Sequence, residues 1–229
     1  MANFIDRLQR RDTLEGGVAV IGLGRFGVAM AEELTASGVE VLAIDTDPDV
    51  VQQYDGQFAH VVRADASNIE ALFQLGVQDF PNAVVAIGQD LAASILVASA
   101  LIKLDGPEIW AKASTSQQGE ILTQMGIRHV FHPEQDMGRR AAHLLTHSLS
   151  DYFDLGHGFA MATAEVPANM DGRSIAELKV RRVHGVTVVG VRVGPQEWVP
   201  AKPDTVLRQG QTVLVAGMSH KLDLVFKEF

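Results

Sequence analysis

The chain has no cysteine. That absence removes disulfide scaffolds, thiolate metal centres and thiol nucleophiles, and it points to a reducing compartment. Long basic runs are missing as well: 19 lysines and arginines stand against 28 aspartates and glutamates, a formal net charge of −9. A protein that grips a duplex needs a concentrated positive surface, so nucleic acid is not expected as a partner. No apolar stretch reaches the roughly 18 residues needed to cross a bilayer, and the opening MANFIDRLQRRD lacks the apolar core of a secretory leader. A cytoplasmic protein is expected. Two hydrolytic signatures are absent too. No G-x-S-x-G elbow occurs, and although His143 and His147 have the spacing of two zinc ligands on one helix face, Leu144 stands where H-E-x-x-H requires its glutamate. Those histidines read as solvated or interface residues.

What the chain does have is a regular alternation. At 229 residues and 47% hydrophobic content it can build one sizeable core and a second, smaller one. Apolar runs GVAVIG (17–22), VEVLAI (39–44), AHVVRA (59–64), NAVVAI (82–87), EIWAKA (108–113) and RHVFH (128–132) are separated by helix-period segments. Those segments begin near Arg25, Pro48, Ser67, Asp90, Ser116 and Glu134. Unbroken apolar strands alternating with helices predict an α/β fold, a Rossmann-like doubly wound parallel sheet in the order 3-2-1-4-5-6, over residues 17–150 after an N-terminal extension, 1–16. Beyond residue 150 the runs shorten to FAMATAEVP, VTVVGVRV and QTVLVAGM, with one helical piece over RSIAELKVRR and another at the C-terminus. This predicts a small α+β C-terminal domain over 151–229. A module of that size gains stability by pairing with its own copy, so a homodimer is expected. GHGFA (156–160) reads as a linker.

The candidate site lies at the first turn. In VIGLGRFG, Gly22 permits the tight turn out of the strand, Gly24 lets the backbone approach phosphate, and Gly27 allows close helix packing. An acid follows at the required distance: Asp45, ending the second strand in VLAIDTDPD, is placed to accept hydrogen bonds from ribose hydroxyls and would repel the 2′-phosphate of NADP. Arg25 is a cation within the loop. The pyrophosphate of NAD can be satisfied by loop amides and the helix dipole, whereas ATP carries about four charges that call for added cations. Arg25 therefore tilts the site toward ATP and ADP, with NAD or NADH as the alternative. Lys112 in IWAKA ends the fifth strand, where ligands of such sheets collect, and can equally be a solvated lysine. Asp65, leaving the third strand, can line the adenosine pocket or cap the next helix. Glu134 opens the last helix, where the dipole favours a carboxylate with or without a ligand. Nothing after residue 150 offers a clustered acid and base for catalysis, so the design is that of a sensor and not an enzyme.

The combination of VIGLGRFG (20–27), EVLAIDTDP (40–48), VVAIG (84–88), IWAKA (109–113) and HPEQDMG (132–138) with a C-terminal module closing DTVLRQGQTVLVAGMSHKLDLVFKEF resembles the RCK family, the regulators of potassium conductance. Within that family it is similar to the KtrA/TrkA-type cytosolic subunits of bacterial potassium uptake systems. The resemblance implies homodimers assembled into an octameric ring at the inner face of the membrane, beneath a potassium-translocating subunit of the KtrB or TrkH type, in some systems Na⁺-coupled. It implies switching between ATP-bound active and ADP-bound inactive shapes. It further implies nucleotide contacts from Gly22, Gly24, Arg25, Phe26 and Gly27, from Asp45, Thr46, Asp65 and Ala66, and from Ile87, Gly88 and Lys112. Glu134 becomes a ligand of Mg²⁺ or Ca²⁺ bound with ATP, a hard cation suited to carboxylate, phosphate and water. Some relatives bind cyclic di-AMP between paired C-terminal modules, where Ile175, Ala176, Arg181 and Thr187 fall. Ala176 offers less apolar surface than that position calls for, and Thr187 replaces an amide side chain.

Overall fold

The computed structural model describes residues 16–146, 149–194 and 197–225. They form two compact units, one ending at Glu134 and the other starting at Gln135. In the first, β1 (Val18–Ile21), β2 (Val41–Asp45), β3 (His60–Arg63), β4 (Asn82–Val85), β5 (Glu108–Lys112) and β6 (His129–Phe131) alternate with α1 (Arg25–Ala36), α2 (Pro48–Tyr54), α3 (Ile69–Gln74), α4 (Leu91–Leu104) and α5 (Ser116–Gln124). A further helix, α6 (Pro133–Thr146), follows β6.

All six strands pair in parallel in the order β3-β2-β1-β4-β5-β6, the order expected from the alternation. The central strands β1 and β2 are buried over nearly their whole length, as sheets covered on both faces require. One face packs Ile21, Ile44, Leu72, Val97, Leu101 and Leu122 into a core; the other packs Val20, Ala31, Val41, Phe58 and Val84. Strand order reverses between β1 and β4, and the carboxyl ends of these strands open the crevice in which such sheets bind ligands.

The second unit is a five-stranded antiparallel sheet in the order β10-β9-β11-β8-β7. Its strands are β7 (Leu149–Asp154), β8 (Phe159–Glu165), β9 (Thr187–Arg192), β10 (Trp198–Pro200) and β11 (Thr212–Met218). Three of them match the apolar runs of the sequence; the edge strands β7 and β10 do not. The division drawn at residue 150 falls inside β7. GHGFA is not a linker between domains: Leu155 donates to the Phe159 carbonyl and Phe159 to that of Gly156, closing a hairpin between β7 and β8. RSIAELKVRR is not one helix. Ser174 caps α7 (Ile175–Leu178) in a reciprocal box with Glu177, Lys179 turns left-handed at φ 52°, and α8 (Val180–His184) begins anew. Helix α9 (Ser219–Val225) packs Leu222 and Val225 into a core with Tyr152, Ala162, Val191 and Val215.

Candidate nucleotide site

The chain leaves β1 through Gly22, whose φ of +98° lies in the region that favours glycine, and enters α1 at Arg25. A methyl group on Gly27 would collide with the Gly22 carbonyl oxygen, so only glycine lets the helix start this close to the strand. Helix α1 differs from its neighbours at the N-terminus. Asp47, Asn68, Asp90 and Thr115 cap α2, α3, α4 and α5 with side-chain oxygens. The N-cap of α1 is Gly24, with no side-chain cap and no acid in the first turn. Its first amides thus have no internal anion to serve, and the positive end of the dipole is left for a ligand.

Asp45 sits half-buried at the end of β2 and accepts the Leu23 N–H through Oδ2 at 2.7 Å and the Asp47 N–H through Oδ1 at 2.9 Å. The carboxylate is thereby tied to the glycine loop and keeps further lone pairs for a diol. A cleft of about 600 Å³ opens beside it, lined by Gly22, Gly24, Asp45, Thr46, Asp65, Ala66, Ile87 and Gly88 from the sequence-based set. Ser67 and Asp90, which the sequence marked only as helix starts, also line it, as do Gln89 and Leu96, which carried no signal. Asp65 does not cap α3, a role taken by Asn68. It accepts instead from the Ser67 hydroxyl at 2.7 Å and the Ser67 N–H at 2.9 Å, bonds that hold its carboxyl below the ordinary aspartate range. Helix α3 starts at Ile69, two residues later than the sequence pattern placed it.

Lys112 lies against Gly88. Lys112 ends β5 with its side chain only 13% exposed, and its Nζ is 2.7 Å from Glu134 Oε1. A Cβ placed on Gly88 would stand 2.8 Å from that nitrogen, so the lysine lies directly over the glycine. Phe26, in the first turn of α1, has Nζ 5.7 Å from its ring centroid and meets Phe131 at 5.9 Å. The hydrogen bond from Lys112, reinforced by the charges of Lys112 and Arg25, depresses the Glu134 carboxyl below its usual value although Glu134 is 56% exposed. Glu134 thus holds a lysine and also accepts from its own backbone N–H in the first turn of α6. Among the described residues no group of three or more histidine, aspartate or glutamate side chains could enclose a metal ion.

Of the remaining sequence-based positions, Ile175 and Ala176 open α7, Arg181 lies in α8 and Thr187 starts β9; all but half-buried Ile175 are exposed. His143 stacks on Tyr152 with ring centroids 3.9 Å apart, and His147 lies outside the described residues.

A glycine loop without a side-chain cap and an aspartate tied to it, beside the switch point of a doubly wound sheet, define a Rossmann-type nucleotide-binding unit, here followed by a small antiparallel unit. The chain belongs to the TrkA-N/TrkA-C family, as a KtrA-type RCK regulatory subunit: the TrkA-N domain matches residues 18–133 and the TrkA-C domain residues 161–229. It is 33% identical over 207 residues to the Ktr system potassium uptake protein A of Bacillus subtilis (strain 168), covering 90% of this chain and 92% of the relative. The Ktr system potassium uptake protein A of Vibrio alginolyticus is 34% identical over 205 residues, 89% of this chain and 93% of that one. Among solved structures, the GsuK RCK domain aligns with a TM-score of 0.67 at 17% identity over 96% of this chain; this chain spans 51% of that one. The GsuK channel bound to NAD gives 0.67 at 18% identity, over 96% of this chain and 42% of that one. These two likenesses establish the fold. The family assigns the chain a regulatory role in potassium uptake.

Proposed function

We propose that the chain is a cytoplasmic gating subunit that reads ATP against ADP and transmits the result to a membrane-embedded potassium-translocating partner. The observation that carries this reading is the nearly buried Lys112 ammonium over Gly88, whose carboxylate partner, Glu134, is mostly exposed and can be exchanged. A ligand changes a conformational equilibrium only through its differential affinity for the two states, so the discriminating groups must meet what the two nucleotides do not share. The α1 N-terminus and Asp45 serve the shared adenosine diphosphate. Lys112 and Arg25 serve the terminal phosphate. Once Lys112 turns to that phosphate, Glu134 is released as the one carboxylate available to Mg²⁺ or Ca²⁺, which links cation affinity to ATP and not to ADP.

Self-association fits the same reading. Helix α4 leaves Leu91, Leu96 and Ile102 exposed, and α6 leaves Met137 and Leu145 exposed, surfaces that a homodimer or a ring of dimers would cover. Cyclic di-AMP at Ile175, Ala176, Arg181 and Thr187 would be a second input through paired C-terminal units. The NAD-bound GsuK channel favours one alternative, a redox sensor, because Asp45 and the α1 N-terminus would serve NAD or NADH equally well. Calorimetry with ATP, ADP and NADH, with and without Mg²⁺ or Ca²⁺, tests the proposal. ATP should bind more tightly than ADP and gain affinity from the cation. Preference for NADH over both adenine nucleotides would replace this reading with the redox one.

A further inference from the structure

Gln118 is an amide side chain in the first turn of α5, 2% exposed. A buried primary amide is tolerated only where its donors and acceptor are met. Here they are met by four separate places in the fold. Oε1 accepts the Ser114 N–H at 2.9 Å. Nε2 donates to the Ser94 hydroxyl of α4 at 3.0 Å and, at 3.4 Å each, to the carbonyl oxygens of Ile87 and Lys112. A glutamine three residues past the N-cap, Thr115, is placed to reach back to the N-cap amide; this one reaches beyond it, across the carboxyl ends of β4 and β5.

Two of those partners matter for the site. Ile87 carries Gly88, the floor beneath the lysine, and the Lys112 carbonyl belongs to the lysine itself. The Ser114 hydroxyl stands 2.6 Å, and Lys112 Nζ 2.8 Å, from where a Gly88 side chain would begin, so a small drift between the two strand ends would displace the ammonium. Resting on the nucleotide reading above, we infer that Gln118 is a positioning residue: its amide fixes the Lys112 main chain against Ile87–Gly88 and thereby sets the selectivity between a terminal and a penultimate phosphate.

The experiment compares ATP and ADP affinities, by calorimetry on the full chain, for the parent, Gln118→Met and Ser94→Ala. Gln118→Met keeps the volume and removes every bond of the amide; the ratio of ATP to ADP affinity should fall by roughly fivefold or more, as expected for a misplaced charge-assisted contact. Ser94→Ala cuts only the tie to α4, so it should lower the melting temperature and leave the ratio alone. A third variant, Gln118→Glu, keeps the acceptor for Ser114 but loses the donors toward Ile87 and Lys112. Its ratio should be low at neutral pH and recover in acid, where the introduced carboxyl protonates and can donate again. It also keeps the test open if Gln118→Met fails to fold. An unchanged ratio in folded Gln118→Met, an equal loss for both nucleotides, or a pH-independent ratio in Gln118→Glu overturns the inference alone. A parent without preference for ATP overturns the nucleotide reading together with it.

Discussion

Replacing Lys112 by methionine tests the site most directly, because the structure supplies the bond that nucleotide binding would have to break. A charge-assisted hydrogen bond to a phosphate oxygen is worth about 1.5–3 kcal/mol. Against it stands the bond that Lys112 already makes to Glu134 at 2.7 Å, which binding must break. Because Glu134 is 56% exposed, solvent screens that pair, and exposed pairs are worth only about 0–1 kcal/mol. The difference, about 0.5–3 kcal/mol, corresponds to roughly two- to 150-fold weaker ATP binding in Lys112→Met. ADP, lacking the terminal phosphate, should lose far less. Glu134→Gln supplies the opposite sign: with divalent cations chelated, Lys112 is no longer held back and ATP affinity should rise, whereas with Mg²⁺ or Ca²⁺ present the cation-dependent gain should vanish. Isothermal titration under both conditions reads all of these values. Equal losses for ATP and ADP in Lys112→Met, or weaker cation-free ATP binding in Glu134→Gln, would refute the exchange.

Asp45→Ala should weaken ATP, ADP and NADH alike and also lower the melting temperature of ligand-free protein, because the amide of Leu23, a residue 4% exposed, loses its acceptor. An unmet buried donor costs about 1–3 kcal/mol, and an unchanged melting temperature would mean that the loop does not depend on this bond. Glu134 should titrate below the ordinary 4.5 of a glutamate in carboxyl-resolved NMR and return toward it in Lys112→Met. Its folded value is depressed, so the stabilisation it contributes is present above 4.5 and is lost as pH falls through the folded value. A Glu134 titration that ignores Lys112→Met would contradict the hydrogen bond.

The parallel sheet was legible because its signals are local and repeated: buried strands read as unbroken apolar runs, and helix starts fall at or beside Pro48, Asp90 and Ser116 as the pattern placed them. The glycine loop was legible for the same reason, since tight turn, backbone approach and close packing each demand glycine at a fixed spacing. Strands β7 and β10 escaped because edge strands need bury little; LSDYFD hides only Leu149 and Tyr152, so its composition looks like a loop. The break at Lys179 had no proline or glycine to announce it. Gln118 escaped for a deeper reason. Gln118 carried no motif signal of its own, and nothing in one dimension reveals that the amide spans to Ile87, 31 residues away in sequence. The Lys112–Glu134 pair is of the same kind: each residue had a sound local explanation, and only the fold joins them.

The hydrogen bond from Leu23 to Asp45 also bears on how fast the site can respond. On the reading proposed above, it joins the phosphate loop to the ribose acceptor within the protein itself, which would hold the two halves of an adenosine diphosphate subsite in register. Ordering that loop is part of folding and not of association, which leaves little conformational entropy to be lost on capture. Capture of the adenosine diphosphate portion should then need no loop rearrangement, and a slower phase should belong only to the Lys112–Glu134 exchange that ATP requires.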